Sequence, residues 1–368
     1  MKQTTVIFNK TNTMKINNID PIVLKNFKNG VVIPAMPLAL KKDRSFDPES
    51  QQILTRYYLD AGVGGIATGV HSTQFAIREH GLFEPVLSCV SETIDQWSLK
   101  KGTKILKIAG VCGRTKQAVR EAEFAVDTGY QAALVSLSAF KENPLSDIIK
   151  HCQIIAGIIP VIGFYLQPAV GGRELPYSFW KEFAAIPNVL GIKIAPFNRY
   201  KTFEVVRAVC DAGKENELTL YTGNDDNIVQ DLLTTYKVHV NGIEKKVRMK
   251  GGLLGHWCVW TQKAVTLLNE IQTLIESGQD IPCELLSRSI QITDANAAFF
   301  DAANHFAGCI PGLHEVLRRQ GLMKGIWCLD KKEVLSPGQS EEIDRVYKAY
   351  PYLNDDDFVR ENLTKWKV

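Results

Sequence analysis

The sequence predicts an α/β protein: a (β/α)8 TIM barrel with a C-terminal helical extension. Three observations carry this. Between residues 30 and 278, about eight short apolar runs alternate with stretches of helical period. The runs lack the polar alternation of half-exposed strands, which implies a parallel sheet covered by helices. Beyond about residue 280 the alternation stops and helical patterns alone follow. Eight such units in roughly 250 residues suit a barrel. A doubly wound open sheet is the competing architecture, and no Gly-x-Gly-x-x-Gly follows the first strand to support it.

The elements follow in order. Residues 1–24 read as a polar leader, 25–280 as the barrel and 281–368 as helices packed on it. "GVVIPAM" (30–36) is the first strand. The next helix has Asp47 as N-cap, Pro48 at its first position and Gly62 as its stop. Further strands are "GGIAT" (64–68), "KILKIAG" (104–110), "QAALVSL" (131–137), "PVIGFYL" (160–166), "VLGIKIA" (189–195), "ELTLYTG" (217–223) and "GGLL" (251–254), each followed by a helical stretch. After the last strand, Ala264, Leu267, Leu268, Ile271, Leu274 and Ile275 keep helical spacing. "KVHVNGIEKKVRMK" (237–250) interrupts the rhythm before strand eight. Its Asn-Gly pair between alternating residues signals a hairpin, and its basic residues read as a solvated strand face.

Composition excludes several classes. The 43 basic and 40 acidic residues leave a net charge of +3, no basis for binding nucleic acid or an anionic membrane. No apolar run reaches membrane-spanning length, and the polar start lacks a signal-peptide core, so the cytoplasm is the expected compartment. Eight scattered cysteines with no Cys-x-x-Cys pair point to reduced thiols, with no metal site.

Catalytic groups of such barrels sit where the strands end. Lys193 lies near the end of strand six, inside "VLGIKIAPF", an otherwise apolar run. A buried ammonium is unfavourable unless paired, so burial lowers its pKa; the neutral amine attacks carbonyls and forms Schiff bases. A structural lysine paired with a carboxylate, or one reaching to the barrel mouth, is the alternative. Tyr165 lies 28 residues earlier, one βα unit, which places it on the neighbouring strand at similar height. Its phenol is then the expected proton shuttle. "TGNDD" (222–226) closes strand seven; Asp225 is a candidate for holding substrate and equally a helix N-cap.

These residues, in this order, resemble the dihydrodipicolinate synthase / N-acetylneuraminate lyase family of Schiff-base aldolases. "GIK" (191–193) is similar to the family's lysine motif, "FYLQP" (164–168) to its Tyr-Asn-x-Pro, "GNDD" (223–226) to the turn after strand seven, and Gly251-Gly252 to the double glycine of strand eight, with Gly252 a candidate substrate-binding residue. "GLHEVLRRQGL" matches the helical tail, and the resemblance spans roughly residues 25–350. It implies that Lys193 condenses with pyruvate or a related 2-oxo acid, and that the resulting enamine adds to an aldehyde or forms in the reverse cleavage. The covalent substrate–lysine imine is then the reactive group, with no other cofactor. A homo-oligomer, dimer or tetramer, is implied too.

The departures are specific. The family's carboxylate loop, Gly-Thr-Thr-Gly-Glu, is replaced by "TGVHSTQF" (68–75); Ser72 and Thr73 are the candidate hydroxyls, with His71 beside them, or the three form an ordinary polar loop. Ser138, Ala139 and Phe140 stand where the synthase has paired tyrosines, and Val170 where it has the arginine for a carboxylated aldehyde. The chain therefore reads as a divergent member and not the synthase itself. His256 in "GGLLGHWCVW" (251–260) is a candidate acid, base or substrate ligand, or a histidine satisfied by a backbone carbonyl. "PYSFWKEFAAIPNV" (176–189) resembles the hydratase-aldolase branch and hints at an apolar aldehyde. Two other readings stand beside an aldolase: a dehydratase or hydratase-aldolase using the same imine, and a barrel that binds a 2-oxo acid without turnover.

Overall fold

The computed structural model describes residues 12–367. Eight strands form a nearly closed parallel barrel: β1 (Val32–Pro34), β2 (Gly65–Thr68), β3 (Leu106–Val111), β4 (Ala132–Val135), β5 (Val161–Leu166), β6 (Val189–Ala195), β7 (Thr219–Thr222) and, after the hairpin strand β8 (Thr235–Val240), β9 (Ile243–Leu254). They pair in the order β1-β9-β7-β6-β5-β4-β3-β2, and a parallel bridge between Ala35 and Ala67 spans the remaining gap. Barrel strands are buried along nearly their whole length, as their unbroken apolar runs require.

The covering helices are α2 (Pro48–Ala61), α3 (Phe83–Lys101), α4 (Thr115–Asp127), α5 (Leu145–Ile158), α6 (Tyr177–Ala184), α7 (Arg199–Asp211), α8 (Ile228–Leu233) and α9 (Thr261–Ser277), while α1 (Pro21–Asn29) precedes the barrel. Helix α2 has the ends its sequence dictates. Asp47 accepts from the Ser50 amide at 3.3 Å, and Gly62 takes the left-handed conformation at φ 91°.

Two segments differ from expectation. The polar leader lies outside the described residues up to residue 11, but its last part is not a leader. Ile19 and Val23 are buried, and α1 begins at Pro21 with Asp20 as its N-cap. With Phe27 these side chains join the barrel's inner core. Phe27 stacks on Tyr221 at 4.7 Å, and the Tyr221 hydroxyl donates to the Phe27 carbonyl at 2.7 Å. The helix thus plugs the N-terminal mouth, where apolar strand ends would otherwise meet water.

The hairpin forms as its Asn-Gly pair signals, but it is not separate from strand eight. Its second arm runs without a break into β9, which pairs with β8 over residues 243–248 and with β7 and β1 from Met249 onwards. Lys245 bonds the Cys210 carbonyl in the last turn of α7 and pairs with Glu215 in the loop that follows. The hairpin therefore flanks the end of the barrel where strands begin.

The C-terminal region folds into α10 (Cys283–Phe300), α11 (Cys309–Arg319), α12 (Gln339–Ala349) and α13 (Asp356–Trp366). Buried polar bonds anchor it. Tyr57 of α2 donates to Asp355 at 2.7 Å, and the Trp366 indole donates to Asp60 at 3.0 Å. Among the described residues, no helix is long and apolar enough to cross a membrane.

Candidate active site

Strand β6 directs side chains alternately to the barrel axis and to the helices. Ile192 and Ile194 pack outwards with α7, so Lys193 points inwards. Gly223, just past β7, makes room for it. A Cβ there would stand 2.7 Å from Lys193 Cε and from Ala195 Cβ. The ammonium end enters a small cavity of about 50 Å³ at the strands' C-terminal ends. Lys193 is 7% exposed, and its Nζ lies 4.4 Å from the Phe164 ring centroid. Among the described residues it makes no hydrogen bond or ion pair. Burial lowers its pKa to about 8, with the Asp225 charge opposing the shift.

Asp225 lines the same cavity and is held by the His256 amide, which donates to its Oδ1 at 2.8 Å. Burial raises its pKa, against the His256 amide and the Lys193 charge. The two shifts favour a neutral amine beside a neutral acid, because a dry cavity penalises both charges. The turn carrying Asp225 is rigid. Asn224 donates to Asp231 at 2.9 Å and accepts from the Phe197 amide at 3.0 Å, while Asp231 also accepts from Thr222 at 2.6 Å and pairs with Arg199. That network fixes Phe197 at a positive φ of 51° and turns its ring into the cavity wall.

The loop after β2 is a 3-10 turn at His71–Thr73. His71 and Ser72 line the cavity. Burial, then the Lys193 charge, hold the His71 imidazole neutral by lowering its pKa to about 4. Thr73 is fully buried and spent on the fold: its hydroxyl donates to the Met36 carbonyl at 2.6 Å and accepts from the Gly69 and Val70 amides. It fixes the loop and leaves Ser72 to face the cavity.

Four expectations change here. Thr73 is the first. Tyr165 is not beside Lys193. The offset between β5 and β6 is 28 at Val161↔Val189, but a bulge makes it 29 from Ile162↔Gly191 onwards. Phe164 is therefore the partner of Lys193, and Tyr165 faces the opposite side. Its ring packs on Trp180 at 5.2 Å, and its hydroxyl accepts from the Leu175 amide at 3.3 Å. His256 contributes its backbone amide, while its ring turns away to stack near Phe299, with Asn296 at its Nδ1. Gly252 does not line the cavity; a Cβ there would meet the Trp257 ring at 2.5 Å, so it serves packing.

Several wall residues escape a reading of the sequence. Phe164, Phe197 and Gln167 come from the barrel, and Phe300, Phe306 and Cys309 from the C-terminal region. The bulge hides Phe164. The C-terminal residues carry no local signal, since folding alone brings them to Lys193. Val170 does line the cavity, and no arginine does among the described residues. Arg173 instead bonds the Phe140 and Asn143 carbonyls.

Fold and site together define a barrel enzyme built around one buried lysine. Residues 28–237 match the model of the Dihydrodipicolinate synthetase family. A 4-hydroxy-tetrahydrodipicolinate synthase from Prochlorococcus marinus is 25% identical over 267 residues, covering 69% of this chain and 83% of that protein. Dihydrodipicolinate synthase from Acinetobacter baumannii, solved complexed with pyruvate, superposes with a TM-score of 0.69 at 17% identity, covering 87% of this chain and 98% of that one. CdNal from Clostridium difficile, solved with mannosamine, gives 0.69 at 14% identity, covering 87% and 99%. The chain belongs to the dihydrodipicolinate synthetase family, whose members are class I aldolase lyases.

Proposed function

We propose that this protein is a lyase in which the Lys193 amine forms a Schiff base with pyruvate or a related 2-oxo acid, and that it makes or breaks a carbon–carbon bond through the derived enamine. One observation carries the reading: a buried lysine, unpaired among the described residues, faces a cavity at the catalytic end of the barrel. Its lowered pKa supplies the neutral amine that attack requires.

In the proposed sequence the amine adds to the ketone carbon, and the carbinolamine loses water to give an iminium. Loss of a proton from the adjacent carbon gives the enamine, which adds to an aldehyde carbon; hydrolysis then frees the amine. Cleavage runs the same steps backwards. Asp225, whose raised pKa keeps a proton available at neutral pH, protonates the departing hydroxyl. Ser72 and the neutral His71 hold the acid's carboxylate through hydrogen bonds. Tyr165 takes no part.

The aldehyde is apolar in this reading. Phe197, Phe300 and Phe306 form the outer wall, and the Phe197 and Phe306 rings meet edge-on at 6.2 Å. Such a wall favours a hydratase-aldolase acting on an apolar aldehyde over an enzyme for a carboxylated one. Assembly as a dimer or tetramer belongs to the same reading, and sedimentation tests it.

Borohydride reduction in the presence of pyruvate, followed by intact mass and peptide mapping, tests the core of the proposal. The expected result is one reduced pyruvate adduct on Lys193, absent in Lys193→Ala. No adduct with pyruvate or longer 2-oxo acids would sink the reading. An adduct without any exchange of the pyruvate methyl protons would mark a barrel that binds and does not turn over.

A further inference from the structure

A second cavity lies behind the active site, on the far side of the turn that carries His256. It encloses about 330 Å³ and shares no lining residue with the cavity around Lys193. That volume falls in the range of small-molecule sites. Trp257, Trp260, Leu267 and Ile292 line it, drawn from the turn, from α9 and from α10. At its mouth stand Lys263 and Glu284, of opposite charge, and an Arg288–Glu270 ion pair.

Its lining includes a histidine whose ring is only half bonded among the described residues. His256 is 5% exposed and lines this cavity. The Asn296 side-chain nitrogen lies 3.2 Å from its Nδ1. An amide nitrogen can only donate, so Nδ1 accepts and the ring proton sits on Nε2. Burial lowers the pKa of this imidazole to about 4, so it is neutral and Nε2 is a single N–H donor. That donor has no hydrogen-bond partner among the described residues. A donor with no protein partner, set in an indole-lined cavity, can take an acceptor from a ligand in place of water.

The same residue reaches the active site through its backbone, since the His256 amide holds Asp225 at 2.8 Å. We infer that this cavity is a second ligand site for a small flat aromatic molecule bearing a carbonyl or carboxylate acceptor. The acceptor takes the His256 Nε2–H, the ring lies among Trp257 and Trp260, and occupancy shifts the turn that positions Asp225 against Lys193. The balanced charge at the mouth admits either the neutral or the anionic form.

The test uses phenylacetamide and phenylacetate as probes, titrated calorimetrically against the full-length protein. The reactivity of Lys193 is read separately, as its rate of acetylation by acetic anhydride mapped by mass spectrometry. This readout needs no Schiff base, so failure of the proposed function shows in the pyruvate trapping and not here. At least one probe is expected to bind. Ala264→Leu, which intrudes into the cavity, and His256→Phe, which removes the donor and keeps a ring, each weaken it by about tenfold or more. Saturating probe changes the Lys193 acetylation rate by about fivefold in the native protein and leaves it unchanged in Ala264→Leu. The inference is overturned if neither probe binds, if binding survives both substitutions, or if bound probe leaves Lys193 unaltered.

Discussion

Two lysines on barrel strands are equally hidden from solvent and differently wired. Lys107 on β3 and Lys193 on β6 are each 7% exposed. Lys107 turns outwards to the helix layer, where its ammonium pairs with Asp95 at 2.5 Å and bonds the Ser91 hydroxyl at 2.9 Å, both on α3. Asp95 is two-thirds exposed, so that pair keeps contact with water. Lys193 turns inwards, to a cavity with an aromatic face and a carboxyl group that burial keeps near neutrality. Burial alone thus does not make an amine reactive. What distinguishes Lys193 is that, among the described residues, its charge has no firm partner, and it has no solvent either.

Stability separates the two lysines most widely, because their substitution should act with opposite signs. The Lys193 pKa is depressed from 10.5 to about 8, so the folded state releases a proton that the unfolded chain keeps between those pH values. The penalty is fully present below about pH 8 and fades as pH rises towards 10.5. Lys193→Met should therefore raise stability at pH 7 by up to about 3 kcal/mol, and by less at pH 10. Lys107→Met should lower it by about 1 kcal/mol through loss of the Asp95 and Ser91 contacts, and leave pyruvate trapping intact. Urea unfolding at the two pH values measures both. A loss of stability in Lys193→Met would mean that its ammonium is paired after all.

Asp225→Asn probes the charge coupling at Lys193. The Asp225 charge raises the Lys193 pKa against desolvation, so removing it should lower that pKa further. The acid limb of the trapping rate should move to lower pH, while the plateau falls by about 10- to 100-fold through loss of the acid. The carboxamide oxygen of the variant still accepts from the His256 amide, which limits structural damage. Trapping rates between pH 5 and 9 decide it: an acid limb that stays put would place Asp225 too far from Lys193 to act on it.

What the sequence makes legible follows from what is local. The strands declare themselves because each is a short apolar run, and Lys193 because a charged residue inside one needs a reason. Asp47, Pro48 and Gly62 mark a helix through their own backbone preferences. The plug helix stays hidden because Ile19, Val23 and Phe27 are sparse in a polar stretch and acquire meaning only against the open barrel mouth. The outer wall stays hidden because Phe300 and Phe306 lie more than a hundred residues from Lys193 in sequence. Thr73 reads as a substrate ligand because a hydroxyl in a loop looks the same whether it faces a ligand or the Met36 carbonyl.

Tyr165 gives the smallest expected effect and the most direct check on the register. A spacing of 28 residues places it beside Lys193, but one extra residue on β6, Leu190, pairs Lys193 with Phe164 instead and leaves Tyr165 on the helix side. Tyr165→Phe should lower stability by about 1 kcal/mol, because the Leu175 amide loses its acceptor while the ring keeps its packing on Trp180. Pyruvate trapping should stay within about twofold of the native rate, since a proton shuttle would be worth about 100-fold or more. Phe164→Ala, on the inward face, should alter trapping more than Tyr165→Phe does, because it opens the wall 4.4 Å from the Lys193 amine and lets water reach it. If the order is reversed, with Tyr165→Phe the more damaging, the bulge is misplaced and the phenol belongs at the imine.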